Sequence, residues 1–216
     1  MRLFRLDASI FPDTSASAEL ADRVEAEWRS AHPAGEVTRR HLGTDPLPAD
    51  AWALATAARH TPEGDRTQEQ RDALALATEL AGELRDADAA IVAVPLYNYG
   101  VSQHFKTWVD LAIAGADPAT PLLKEKPAVL ITTIGGGYGP GAPREGWDHS
   151  TPYLRRVLAD LWQADLTVIK RELTLADSTP GMENLRDLAA QQHREALAAA
   201  EEAGRTLAKA AKLERV

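Results

Sequence analysis

Apolar positions along this chain alternate between a two-residue and a helical period. Leu3, Phe4, Leu6 and Ala8 read as a first strand, and Ser17 then opens a helix in which Ala18, Leu20, Ala21, Val24 and Trp28 recur at helical spacing. Glu36 to Leu42 reads as a short second strand. An excursion punctuated by Pro, Thr and Asp follows over 43–66, with a helical piece near 49–58. Thr67-Gln68-Glu69-Gln70 has the form of a capping box ahead of a long helix to about Arg85. Ala89 to Val94 is a short run rich in apolar and β-branched residues, the pattern of a strand covered on both faces, and a helix over Ser102 to Ala114 comes next. Pro127 to Thr133 is a fourth buried strand. Ser150 or Thr151 starts another helix, with Pro152 at its first helical position, running to about Gln163. Leu166 to Leu173 is the fifth strand. A helix over 182–212 closes the pattern, with Leu185, Leu188, Ala189, Leu197 and Leu207 on its apolar side.

This alternation predicts a doubly wound α/β fold: five parallel strands in the order 2-1-3-4-5, with helices on both faces. Strands one and three are then neighbours where the winding reverses, and ligands bind there at the carboxyl ends of the strands. No repeat, linker or composition break marks a boundary, so residues 1–216 are expected to form one domain. At 216 residues with 44% hydrophobic content, the chain suffices for one substantial core rather than two full domains.

The formal charge of −8, from 24 basic and 32 acidic residues, argues against nucleic acid and against an anionic membrane surface as partners. There is no cysteine, so disulfides, thiolate nucleophiles and Cys metal sites are excluded. The alternating start from Met1 to Ser9 does not resemble a signal peptide, and no apolar run approaches the roughly 20 residues that span a bilayer. A cytoplasmic protein is the expectation.

Three loops then carry the candidate chemistry, after strands one, three and four. The first holds Ser9, Thr14, Ser15 and Ser17 and ends at a helix amino terminus, where free N–H groups and the helix dipole favour an anion; Ser17 also suits a simple helix cap. In the second, Pro95 ends strand pairing and leaves Leu96, Tyr97, Asn98 and Tyr99 at the strand's carboxyl end. Two aromatic rings and a carboxamide suit a flat heteroaromatic, although half-buried tyrosines in a plain connecting loop would look the same. The third, Gly135-Gly136-Gly137-Tyr138-Gly139-Pro140-Gly141, contains a G-x-G-x-x-A spacing. Pro140 and Pro143 interrupt it and no helix opens behind it, so a dinucleotide fingerprint is a poor reading. Its glycines fit close backbone approach to a planar ligand and a flap reaching Trp147 and His149.

Other chemistries find little support. The six histidines show no H-E-x-x-H and no paired spacing, and no metal site is expected; His32, His41, His60 and His193 read as solvated or half-buried fillers. A serine hydrolase would need a G-x-S-x-G elbow, which is absent.

Taken together, Ser9…Ser15-Ala16-Ser17, Pro95-Leu96-Tyr97-Asn98-Tyr99, Thr133-Ile134-Gly135-Gly136 and Thr151-Pro152-Tyr153-Leu154 resemble the FMN-dependent NADH-azoreductase family, also described as NADH:quinone reductases of flavodoxin-like fold. The likeness runs from residue 1 to at least Pro180. It implies that Ser9, Ser15, Ala16 and Ser17 hold the FMN phosphate, and that Pro95, Leu96, Tyr97, Asn98 and Tyr99 line the isoalloxazine. Thr133, Ile134, Gly135 and Gly136 would bond the ring's polar edge. Hydride from NADH or NADPH would pass through the flavin to a quinone, an azo compound or another small aromatic acceptor, in alternation. The cofactor carries the chemistry, so no catalytic side chain is implied; Asn98 and the amides of Gly135 and Gly136 would support charge on the reduced ring. Tyr99, Tyr138, Trp147 and His149 are candidates for the acceptor wall.

The chain departs from the family at Tyr99, where Phe is usual, at Thr133-Ile134, where Ser-Arg is common, and at Trp162, where a glycine is expected. The resemblance also implies a homodimer. Phe105, Trp108, Val109, Leu111 and Ile113 are spread around more of the Ser102–Ala114 helix than one core-facing stripe needs, so part of that surplus is expected to face a partner, the alternative being that it tucks under the 43–66 excursion within one subunit. An electron-transfer or redox-regulatory flavoprotein of the same fold, and a reductase dedicated to one biosynthetic intermediate, remain alternatives.

Overall fold

In a computed structural model that describes residues 1–213, the last three residues of the expected 1–216 unit lie outside the described residues. Five strands, β1 (Arg2–Asp7), β2 (Glu36–His41), β3 (Ala89–Ala93), β4 (Pro127–Thr133) and β5 (Asp165–Arg171), form one sheet in the order β2-β1-β3-β4-β5. Every pairing is parallel, as the unbroken burial of β3 and β4 required. The helices are α1 (Ala16–Ala31), α2 (Ala51–His60), α3 (Gln68–Asp86), α4 (Gln103–Gly115), α5 (Ser150–Arg155) and α6 (Arg186–Leu213). None of the described helices is long and apolar enough to cross a membrane.

Two cores cover the sheet, one on each face. Phe4, Leu6, Val92 and Leu130 pack with α2, α3, α4 and α5, whereas Leu3, Ile91, Val129 and Ile131 pack with α1 and α6. β1 also buries a charge that its apolar pattern did not announce. Arg5 sits inside, bonded to Asp7 at 2.8 Å, Asp22 at 2.6 Å and Glu25 at 3.0 Å, so the guanidinium enters the interior with its counter-ions.

The capping box on α3 is present in full, with Thr67 and Gln70 exchanging side-chain and backbone bonds. Other helix starts differ from expectation. Ser15, not Ser17, caps α1: its Oγ accepts from the Ala18 amide at 3.2 Å, leaving Ser17 buried in the first turn. Pro152 is the third residue of α5. Asp148 satisfies the Ser150 and Thr151 amides at 3.0 and 2.9 Å, which starts the helix before the proline is reached. A π-helical stretch, Arg156–Leu161, continues α5 and delivers Trp162 edge-on to Trp108, with ring centroids 5.4 Å apart. The indole that replaces the expected glycine is therefore a core side chain.

Two further expectations are corrected. On α6, Ala189 and Leu207 are buried as expected and Leu197, like Leu185 just before the helix, is partly buried, but Leu188 is exposed and Ala196, Ala200, Ala203 and Ala208 complete the buried stripe. Small residues let α6 lie close to α1, which longer leucines would prevent. On α4, Phe105, Trp108, Val109 and Leu111 are all buried within the chain, and only Ile113 is left exposed. α2, from the 43–66 excursion, and α3 both pack against α4 and take up the apolar surface that the sequence left to a partner.

Candidate active site

All three chemical loops leave the carboxyl edge of the sheet, and they meet around one cavity of about 250 Å³ between the ends of β1, β3 and β4. Ser9, Thr14, Ser15 and Ala16 line it from the first loop. Pro95, Leu96 and Tyr97 come from the second, and Thr133 and Gly135 from the third. Among the described residues, no charged side chain lines it.

Neutral hydrogen bonds set the first two loops. Tyr97 Oη accepts from the Ile10 amide at 3.2 Å and stands 3.3 Å from Ser9 Oγ, so one phenol ties the second loop to the first. Ser9 Oγ also accepts from the Phe11 amide at 3.1 Å. Gly43 supports this turn from behind, because any β-carbon there would stand 2.0 Å from the Ser9 carbonyl oxygen. Tyr97 and Gly100 then exchange backbone bonds of 3.0 and 2.9 Å around Asn98 and Tyr99, whose φ angles are 48° and 71°. That is a tight two-residue turn with both central residues left-handed. Asn tolerates this conformation well and Tyr poorly, and the turn projects both side chains outward.

Among the described residues, the backbone amides of Ala16, Ser17, Gly135 and Gly136 are open at this edge. The first amides of a helix have no intrahelical acceptor, and Ser15 supplies acceptors to Ala18 and Glu19 only, leaving Ala16 and Ser17 free. Ser15 Oγ and Ser17 Oγ lie 3.1 Å apart beside them. On the third loop, the Gly135 and Gly136 carbonyls accept from Leu175 and Leu173, while the Gly135 and Gly136 amides have no acceptor among the described residues. Open amides and hydroxyls at a helix start can hold an oxyanion, and the glycine amides can bond the edge of a planar ring.

Of the expected residues, Ser17 and Ile134 are buried and not among the cavity-lining residues, with Ser17 Oγ 3.1 Å from the lining Ser15 Oγ. Asn98, Tyr99 and Gly136 lie beside the lining rather than in it. The segment after β5 adds two lining residues that the sequence reading missed, Thr174 and Leu175, and the first loop adds Phe11. Leu175 packs so closely that a β-carbon at Gly135 would meet its Cδ1 at 2.6 Å. No motif marks these positions. A leucine and a phenylalanine stranded among polar loop residues were the only signal.

The candidate wall residues do gather. Trp147 meets Tyr99 edge-on with centroids 5.6 Å apart, Tyr138 lies 6.4 Å from Tyr99, and the His149 amide bonds the Tyr99 carbonyl at 3.0 Å. Charge holds this flap. Glu172 accepts from the Tyr138 and Gly139 amides at 2.7 and 3.1 Å and pairs with Lys170 at 2.8 Å, and Lys170 also faces Asp148 at 3.4 Å. Burial alone would raise both carboxyls. Lys170 and the bonded amides overcome it and hold Glu172 and Asp148 below the usual carboxylate range.

Residues 1–203 match the family described as having a flavodoxin-like fold. The chain is 38% identical over 203 residues to an FMN-dependent NADH:quinone oxidoreductase of Frankia casuarinae, covering 92% of this chain and 96% of the relative. The chain belongs to that family. A Kineococcus radiotolerans protein of the same name is 39% identical, covering 95% of this chain and 99% of its own. A Pseudomonas aeruginosa member, 34% identical over 79% of this chain and 86% of its own, is named for NAD(P)H. An FMN-dependent NADH-azoreductase from Bacillus anthracis, solved in complex with FMN, shares the fold. It has a TM-score of 0.74 and 15% identity, covering 96% of this chain and 99% of the other.

Proposed function

We propose that this protein is an FMN-dependent oxidoreductase that uses NADH or NADPH to reduce quinones, azo compounds or another small aromatic acceptor. The carrying observation is that two pairs of open amides, at Ala16 and Ser17 and at Gly135 and Gly136, flank one uncharged cavity. That pattern fits a ligand with a phosphate at one end and a planar ring with a polar edge at the other. Family relatives named as FMN-dependent NADH:quinone oxidoreductases support the same assignment.

Bound FMN supplies hydride acceptance and the return of two electrons. The chain's own task is placement. The Ala16 and Ser17 amides with the Ser15 and Ser17 hydroxyls hold the phosphate, and α1 directs its positive end there. Pro95, Leu96 and Tyr97 support the ring, Thr133 and the Gly135 and Gly136 amides hold its polar edge, and Asn98 adds a carboxamide at the rim. Tyr99, Tyr138, Trp147 and His149 form the wall against which donor and acceptor lie in turn.

Because both reactants use this one face, the kinetics should be ping-pong, with parallel double-reciprocal plots at several acceptor concentrations. Intersecting lines would mean a ternary complex. The decisive experiment is the visible spectrum of the purified protein followed by anaerobic titration with NADH. A yellow protein bleached by NADH is expected. A colourless one that takes up no FMN at micromolar concentration overturns the reading, and flavin without NADH oxidation points to an electron carrier.

A homodimer and a cytoplasmic setting belong to the same reading. Ile10, Phe11, Tyr99, Trp147 and Leu175 leave large apolar groups exposed around the cavity, which suits a partner subunit better than α4 does. Light scattering should give twice the monomer mass of 23.4 kDa.

A further inference from the structure

The cavity lining is uncharged, but the flap brings a cation to its glycine rim. We infer that Arg144 is a specificity-determining residue that selects aromatic acceptors carrying an oxyanion, such as a carboxylate or sulfonate, beside the reducible group. This inference rests on the oxidoreductase reading above.

Three observations place the charge. The guanidinium lies 5.9 Å from the Tyr138 ring centroid. A β-carbon at Gly136 would stand 3.3 Å from Arg144 Nη1, so the cation lies against the bare face of the glycine whose amide is open. The Arg144 side chain also makes no hydrogen bond or ion pair among the described residues, although the chain carries a net charge of −8.

Nearby carboxylates are occupied elsewhere. Glu145 folds back onto the Gly141 amide at 2.8 Å, Glu172 bonds Lys170 and the Tyr138 and Gly139 amides, and Asp148 caps α5. What is left at the rim is a free planar cation beside exposed aromatic surface from Tyr99 and Trp147. An aromatic ring stacked there with an oxyanion at its edge would meet ring contacts and a guanidinium fork together. A neutral acceptor would gain only the ring contacts. The same cation could instead serve an oxyanion carried by the dinucleotide, and the test separates the two sources.

The test uses FMN-loaded wild type, Arg144→Gln and Arg144→Lys, with 1,2-naphthoquinone and 1,2-naphthoquinone-4-sulfonate as acceptors and both NADH and NADPH as donors. In Arg144→Gln the ratio of kcat/KM for sulfonated over neutral quinone should fall about tenfold relative to wild type, mainly through KM, and Arg144→Lys should recover part of it. Calorimetry with 2-naphthalenesulfonate, a ligand that cannot be reduced, should show a matching loss of affinity. An unchanged ratio and unchanged sulfonate binding in Arg144→Gln overturn the inference. So does an effect confined to the KM of NADPH, which would assign Arg144 to the donor. If wild type reduces neither quinone, the oxidoreductase reading fails, while the calorimetric comparison still decides whether Arg144 binds the anion.

Discussion

On the side of the cavity built by the first two loops, position is set by neutral groups: Tyr97 Oη, the Ser9, Ser15 and Ser17 hydroxyls, and backbone amides. On the flap side, the corresponding work falls to Glu172, Lys170 and Asp148, and there Tyr138 is buried while Tyr99 and Trp147 stay exposed. Neutral donors leave the positive potential of α1 unspent, so it is available to an incoming phosphate. Ionic fastening makes the flap responsive to pH and salt in a way that the phosphate loop is not. One cavity thus combines a fixed cradle with an adjustable wall.

The strongest way to break this contrast is to put a charge on the neutral side. Ser17→Asp places a carboxylate beside Ser15 Oγ and the open amides, against the phosphate. Fluorescence titration should show FMN affinity reduced by at least about a hundredfold, since like charges a few ångströms apart cost several kcal/mol at protein dielectric. Ser17→Ala should lose only about fivefold, the effect of one hydroxyl donor. Similar losses in the two variants would show that charge is not what the loop excludes.

The reverse substitution removes charge from the flap. Glu172→Gln keeps an acceptor for the Tyr138 and Gly139 amides but weakens those bonds and strands part of the Lys170 charge. Losing charge assistance is worth about 1–2 kcal/mol. Acceptor KM should rise several-fold with FMN affinity unchanged. An equal loss of FMN affinity would mean that the two sides are not independent.

Acid gives the smallest effect. Glu172 and Asp148 are depressed in the folded protein, so their contribution is fully present above the ordinary carboxylate range and is lost as pH falls through it and below. The flap should be fastened at neutral pH and loosen below about pH 4. Trp147 emission should report that step before the fold is lost, and the step should shrink in Glu172→Gln. A flap signal that follows global unfolding at every pH would refute a separate ionic fastening.

Local chemistry accounts for what was readable in the chain. Thr67 to Gln70 encode their cap within four residues, and the apolar runs of β3 and β4 announce strands covered on both faces. Alternation with helices then leaves few parallel topologies, and in the five-stranded doubly wound one the three loops meet at one edge, as they do here. Side chains whose partners are distant in sequence were not readable. Nothing in the apolar pattern of β1 pointed to a buried Arg5, whose counter-ions Asp22 and Glu25 come from α1. The apolar girth of α4 looked like a dimer face until α2 and α3 covered it. Leu175 and Arg144 carry no motif, and their place at the rim depends on how the segment after β5 and the flap fold back over the glycine loop. Periodicity and capping are short-range and determine which elements form and in what order. Burial of a charge, cover for an apolar face and the composition of a cavity wall depend on contacts across tens of residues, and those only the tertiary structure decided.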